Sequence, residues 1–318
     1  MRSVLGKLLV SFIVIWIALL GLSKLYDFAL LHNSNVKASY IQKNKIDADL
    51  LILGTCQAVW IVQPSLIEKH TQLKTYNLGL NNSDFSDNYL YLYMYLKRNK
   101  TPEYLFLYIS PETMDLHYSA FNTYRFATFV GDAVVDSVLK DCDNNYFKWT
   151  SIPFMRYAYY NNNVNFDVMQ GLKHFLTNKT TPHFKDNGYE QAIHPIKETD
   201  PNAVVQIYPD GFVFTWSDLR EKYLRKTIEL AQQHNIKVTL YESPLLKEAI
   251  LHLPNRMEML RKIKSVAEEY GIEFVQFENM KIADSSKYFF SSVGLTTKGS
   301  VIFSDSLGKY IKNKIMKK

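Results

Sequence analysis

The sequence predicts an α/β protein with a mostly parallel sheet, helices on both faces, and an N-terminal transmembrane helix. Three observations carry that expectation. Short apolar runs of strand length alternate with longer amphipathic segments, as in a parallel sheet covered on both sides. The run Leu50-Leu51-Ile52-Leu53 has no polar side chain and leads into Gly54-Thr55-Cys56, a buried strand followed by a tight turn into a helix. An apolar run from Leu8 to Leu22 stands at the N-terminus.

That run, extended by Val4 and Leu5 with Lys7 snorkelling, approaches the ~20 residues a bilayer core requires. Arg2 and Lys7 precede it, so the N-terminus is expected in the cytoplasm and the bulk of the chain outside the cytoplasmic membrane. A cleaved signal peptide is the competing reading, but Gly21-Leu22-Ser23-Lys24 offers no clear small-x-small cleavage site. The expected organisation is an anchor over 1–26, a polar connector with a little helix over 27–45, and one globular domain over 46–318.

Within that domain each element has a local reason. Pro64 to His70 reads as a helix, Thr75 to Leu78 as a short strand ending at Gly79, and Asn81-Asn82-Ser83-Asp84 as a turn and helix cap. Phe85 to Arg98 carries a helical apolar face. Tyr104 to Ile109 is a third buried strand, closed by Ser110-Pro111. From Asp115 to Thr215 the chain is least regular, with turn signals at Asn161-Asn162-Asn163, Asn178-Lys179-Thr180, Pro182 and Asp210-Gly211, and is expected to form an insertion or cap. Alternation then resumes. Ser217 or Asp218 caps a helix to His234, Lys237 to Tyr241 is a strand closed by Ser243-Pro244, and Asn255 to Tyr270 is a helix ended by Gly271. Ile272 to Phe277 is a strand, and Thr296 or Thr297 starts a last helix to Ile315. Ligands of such sheets sit at the C-terminal ends of the strands, here Cys56, Gly79, Ser110, Ser243 and the segment before the last helix.

Composition narrows the classes. The formal charge of +6 is dispersed except for Lys309, Lys312, Lys314, Lys317 and Lys318, and no basic stripe is interleaved with aromatics, so nucleic acid is not expected as a partner. A weakly basic face beside an anionic envelope surface fits better. Two cysteines, Cys56 and Cys142, make neither a disulfide framework nor a zinc pattern, although a single bridge between them stays open. No cofactor or metal is expected, because no paired His/Asp/Glu spacing falls on one face.

The order of blocks is similar to the SGNH/GDSL hydrolase superfamily, in its membrane-anchored branch. That branch includes proteins working beside membrane-bound O-acyltransferases on teichoic acids and alginate. The first family block, a strand followed by Gly-x-Ser, reads Gly54-Thr55-Cys56-Gln57-Ala58 here. The second, Asn-x-Gly, reads Asn77-Leu78-Gly79. The last, Phe-x-Asp-x-x-His-Leu-Asn/Thr-x-x-Gly, reads Phe289-Phe290-Ser291-Ser292-Val293-Gly294-Leu295-Thr296-Thr297-Lys298-Gly299. The third family block, with its Asn, has no counterpart beyond Ile109-Ser110-Pro111-Glu112. The resemblance implies a flavodoxin-like three-layer sandwich, Cys56 at the nucleophile position, the Gly79 amide in an oxyanion hole, and degenerate Asp and His positions at Ser291 and Gly294. It also implies a role in acyl modification of cell-envelope glycan, with a membrane-bound O-acyltransferase as partner.

Gly294 and Ser291 can neither take a proton nor orient a base, and losing the base costs such a unit several orders of magnitude in rate. A thiol softens the requirement, since a helix N-terminus can lower its pKa. His117, His174, His183, His194 and His252 are the histidines in or near loops that could substitute, with His117 nearest the active edge. The local pattern equally fits a plain βα turn with a small buried cysteine. Three readings follow: a catalytically impaired binding or partner subunit, an active Cys56-dependent O-acyltransferase or esterase, and a structural envelope protein.

Overall fold

The computed structural model describes residues 2–34, 36–43, 46–118, 121–159, 163–178, 184, 186–191, 211–291 and 293–316. The chain divides into two compact units. One comprises Met1–Lys43 with Asn122–His183, and the other Asn44–Phe121 with Phe184–Lys318.

The second unit holds the sheet. Five parallel strands, β1 (Leu50–Leu53), β2 (Thr75–Asn77), β3 (Tyr104–Tyr108), β4 (Lys237–Glu242) and β5 (Glu273–Gln276), pair in the order β2-β1-β3-β4-β5. This is the flavodoxin-like doubly wound order, whose ligand crevice lies where the order reverses, between the ends of β1 and β3. Every residue of β1 and β3 is buried, which explains their unbroken apolar sequence. On one sheet face Leu50, Ile52, Phe106, Tyr108 and Tyr241 pack with Phe303, Leu307 and Ile311 of the last helix.

The helices begin where the sequence signals them. Asp84 and Asp87 form a reciprocal capping box at Phe85–Leu96, Ser217 caps Asp218–Gln233, and Thr296 caps Thr297–Tyr310. The irregular region leaves the sheet unit and rejoins it first at 186–191, where the Asn77 N–H donates to the Asn187 carbonyl at 2.9 Å and the Glu190 N–H to the Val59 carbonyl at 3.2 Å, and again before Ser217. Asp115 and Trp216 form an isolated antiparallel bridge, and the Thr215 amide donates to Asp115 Oδ1 at 2.6 Å. The turn signals at 161–162, 179–180, Pro182 and Asp210 lie outside the described residues.

The first unit corrects the expected connector over 27–45. The N-terminal helix runs without a break from Arg2 to His32, and Lys37–Gln42 adds a short helix. The reason is that the polar residues past the apolar run have buried partners. Arg156 donates to both Asp27 carboxylate oxygens at 2.9 Å and to Ser23 Oγ at 3.1 Å, and Tyr157 also bonds Asp27. Much of the expected cap therefore has another role. Residues 122–183 fold with the N-terminal helix, and Ala29, Leu30, Ala127, Tyr157, Val164 and Val168 form their common core. From Val4 to His32 the helix is long and apolar enough to cross a membrane, a test that a signal sequence also meets.

Candidate functional site

Gly54 ends β1 with φ +147°, and a Cβ there would meet Tyr108 Cβ at 2.5 Å. Only glycine lets β1 and β3 pass this closely while the chain turns into the helix Cys56–Ile61. Cys56 is thereby set, half-buried, at the β1 side of the switch point.

Asn77 clamps the same helix from β2. Its fully buried amide donates to the Ala58 and Val62 carbonyls at 2.7 and 2.9 Å, while its Oδ1 accepts the Gly79 N–H at 2.9 Å. Gly79 lies against the first turns of the helix, for a Cβ there would meet Ala58 Cβ and Val59 N at 3.0 Å. The structure thus brings the Cys56 and Gly79 blocks together. The Gly79 amide, expected to face an oxyanion, is bonded within its own motif.

The Ser291–Gly294 block comes to this helix as well, through the Trp60 and Phe290 rings at 5.7 Å. Its two key positions are bonded to each other. The Gly294 amide donates to Ser291 Oγ at 2.9 Å and its carbonyl accepts the Phe290 N–H at 2.8 Å, inside a turn closed by the Phe289–Leu295 bridge.

The surroundings of the thiol oppose ionisation. Cys56 Sγ donates to Gln57 Oε1 at 3.2 Å. Burial and the nearby Glu112 carboxylate push the thiol up to about 11, and the Cys56 and Gln57 amides that point at the sulfur pull less strongly the other way. This reverses the expectation that the helix start lowers the thiol pKa. The helix has only six residues, and its weak positive end loses to desolvation and a like charge. Burial, with Asp115 close by, raises Glu112 in turn, and burial with Cys56 and Glu112 alongside raises the Tyr118 phenol. Burial is the largest cause for all three, and the carboxylate charge of Glu112 adds to it at Cys56 and Tyr118. The Arg220 guanidinium stands over the Tyr118 ring at 5.6 Å and faces the Asp84 and Asp115 charges.

Beside them opens a cavity of about 330 Å³. Ser110, Glu112, His117 and Tyr118 from the end of β3 line one side. Phe212, Phe214, Leu245, Ala249, Leu253 and Val293 make the rest largely apolar. Arg256, also in the wall, is almost fully buried and pairs with Glu242 at the end of β4 (2.7 Å) and with Glu278 (2.9 Å). Burial pushes Glu242 up to about 7 against the pull of Arg256, and Glu242 Oε1 and Arg256 Nε keep no hydrogen-bond partner among the described residues.

Of the histidines considered, the structure brings His117 to the cavity wall, where its backbone N–H donates to Asp115 Oδ2 at 3.1 Å. His174 is in the other unit, its Nδ1 within 3.2 Å of the Ser34 amide. His252 is half-buried, and its carbonyl accepts the Phe212 N–H. His183 and His194 lie outside the described residues. Among the described residues no histidine nitrogen hydrogen-bonds Cys56, and no three His, Cys, Asp or Glu side chains are grouped to hold a metal ion. Cys56 and Cys142 are both free thiols.

Sequence reasoning passed over Glu112, Tyr118, Glu242 and Arg256. Signals for two of them were present. Glu242 ends a strand buried from Val238 onward, and Arg256 opens a helix at the end where the dipole disfavours a cation, both marks of a buried pair.

No family model and no curated protein sequence matches the chain. Among solved structures it is similar to a Bacteroides fragilis protein provisionally assigned as an acylhydrolase, with 12% identity and a TM-score of 0.41 over 86% of this chain and 94% of that one. It is also similar to a Streptococcus pneumoniae protein provisionally assigned as a platelet activating factor, with 10% identity and a TM-score of 0.40 over 97% of this chain and 99% of that one. At these scores neither likeness speaks to chemistry, and the α/β class rests on the parallel sheet itself.

Proposed function

We propose that the chain is a membrane-tethered subunit for acyl modification of cell-envelope glycan, whose cleft binds an acyl-bearing ligand without transferring the acyl group. The observation that carries the binding reading is the neutral thiol. Cys56 follows β1 at the switch point, where the sequence block puts a nucleophile, yet Glu112, an acid, is the charge beside it, and among the described residues no imidazole is bonded to it. Acyl transfer needs a thiolate or a base to make one. The largely apolar cavity next to Glu112 and Tyr118 suits an acyl chain. The envelope setting, the glycan and a membrane-bound O-acyltransferase partner rest on the sequence blocks at Gly54–Cys56 and Asn77–Gly79. The tether, with the sheet unit outside the cytoplasmic membrane, rests on the apolar helix with Arg2 and Lys7 ahead of it.

The test has two arms. The full chain in detergent micelles, incubated with p-nitrophenyl acetate, is expected to show no hydrolysis that Cys56→Ala removes, and no thioester on Cys56 by intact mass. In cells that make the protein, deleting it is expected to lower ester-linked acyl groups on isolated envelope glycan. Wild type and Cys56→Ser are expected to restore them equally. Cys56-dependent turnover in either arm replaces this reading with an active Cys56-dependent acyltransferase or esterase. Unchanged glycan acylation on deletion leaves a structural envelope protein.

A further inference from the structure

Beyond the apolar run, the N-terminal helix has two unlike faces. Ser23, Asp27 and Leu30 point into the first unit, held there by Arg156 and Tyr157, and Ser34 just past the helix end is bonded to His174. The opposite face carries Leu25 and Phe28, both exposed. Phe28 does not end the apolar surface. Its ring meets Phe175 edge-on at 4.9 Å, and Phe175 and its neighbour Leu176 are exposed on the helix Asn163–Thr177. That helix buries Val164, Val168, Gly171 and His174 on one side. On the other, at spacings of three, four and three residues, stand Phe166, Met169, Lys173 and Leu176, the three apolar ones at least 61% exposed. A helix facing water carries polar residues at such positions.

We propose that Leu25, Phe28, Phe175 and Leu176 form a lipid-contacting patch, so that the unit folded around the N-terminal helix rests on the bilayer surface. Continuity is the argument. The patch extends, on the same helix, the apolar surface that is long enough to cross the membrane, and a contact between aromatic rings carries it onto the second helix. From Val4 to Phe28 the helix is 25 residues long by sequence position, or about 37 Å, against a hydrocarbon core of about 30 Å, with Lys7 near one end and the exposed Lys24 near the other, both long enough to reach the headgroups. Such a helix tilts, and polar anchors set which face leans toward the membrane. Here Ser23 and Asp27, paired with Arg156, keep their face in the protein and leave the Leu25–Phe28 face to lean into the interface. Lys173 lies on the outward stripe, where a long cationic side chain reaches the headgroups. The inference rests on the helix serving as the tether and not on the reading of the cleft.

The test uses the full wild-type chain in vesicles of phosphatidylcholine and phosphatidylglycerol doped with a lipid carrying a diazirine on its acyl chain. After photolysis, adducts are mapped by peptide mass spectrometry, with a water-soluble diazirine in a parallel sample. Lipid-borne adducts are expected both on the apolar run and at Phe28, Phe175 and Leu176, with aqueous labelling at those three reduced several-fold below exposed polar segments. Adducts on the apolar run alone, with Leu176 labelled from water, overturn the patch. Protection of Leu176 from both probes also overturns it, since protein then covers the surface. No lipid adducts on the apolar run refute the tether itself and the patch with it.

Discussion

The two units place their buried ion pairs in different settings. In the unit built on the N-terminal helix, Arg156 and Asp27 are about 15% exposed, and Ser23 and Tyr157 complete the cluster. The cluster joins the helix end to the segment around it. At the end of β4, Arg256 and Glu242 are at most 3% exposed, burial pushes Glu242 up to about 7, and one of its oxygens has no hydrogen-bond partner among the described residues. The thiol, carboxyl and phenol that follow β1 and β3 are likewise shifted upward by burial. A packing role accounts for the first pair. Buried polar atoms without partners cost stability, and among the described residues Arg156 Nε is one as Arg256 Nε and Glu242 Oε1 are; the second pair differs in its deeper burial and in its place in the wall of a cavity at the C-terminal edge of the sheet.

Removing the cation from each pair tests this difference most strongly. Arg256→Ala leaves the fully buried Glu242 without its cation and is expected to cost about 3–5 kcal/mol. Arg156→Ala opens a pair that water can reach and is expected to cost about 1–3 kcal/mol. Urea unfolding of the full chain in micelles reads both, and equal losses break the distinction. Glu242 sharpens it through pH. Its pKa rises from 4.5 in the unfolded chain to about 7 in the folded one, so between those values the folded state binds more protons. Stability therefore falls as pH rises from about 4.5 to about 7 and is flat beyond, a loss of up to about 3 kcal/mol. Glu242→Gln is expected to flatten that slope, and a slope unchanged in the variant assigns it to another group.

A smaller effect is expected at the thiol. With its pKa near 11 in place of 9.0, Cys56 carries about 100-fold less thiolate at pH 8 than an ordinary cysteine, and iodoacetamide should modify it correspondingly slowly. Glu112→Gln removes the like charge and should speed alkylation several-fold while leaving burial in place. If Cys56 reacts at pH 8 as fast as a free thiol, its surroundings are not those described.

Much of the sheet was legible because it is local. Leu50–Leu53 and Tyr104–Tyr108 are apolar throughout since both faces are covered, and Ser217 and Thr296 stand where caps were expected. The run after the N-terminal apolar stretch misled because Asp27 and Ser23 look like a solvated connector until Arg156, more than a hundred residues later, pairs with them. The site divides in the same way. Cys56, Gly79, Ser291 and Gly294 sit in short blocks that can be read in place. That Glu112 lies beside Cys56, and Arg256 in the wall of the same cavity, follows from the order of five strands and not from any local spacing.

The smallest expected effect is a gain of nothing from rebuilding the missing pair. Ser291→Asp with Gly294→His restores the residue types of the family block but not their setting. A Cβ at Gly294 would meet the Phe290 ring at 2.4 Å, so a histidine there must displace that ring from its contact with Trp60. A carboxylate at 291 can accept the residue-294 amide as the Ser291 hydroxyl does, so it stays engaged in the turn between Phe289 and Leu295. Opposite, the thiol still faces Glu112, whose charge resists its ionisation whatever base is brought near. Esterase activity toward p-nitrophenyl acetate should stay at the wild-type level in the double variant. A rise that Cys56→Ala abolishes means that the loop alone had silenced the site and that the thiol was competent throughout.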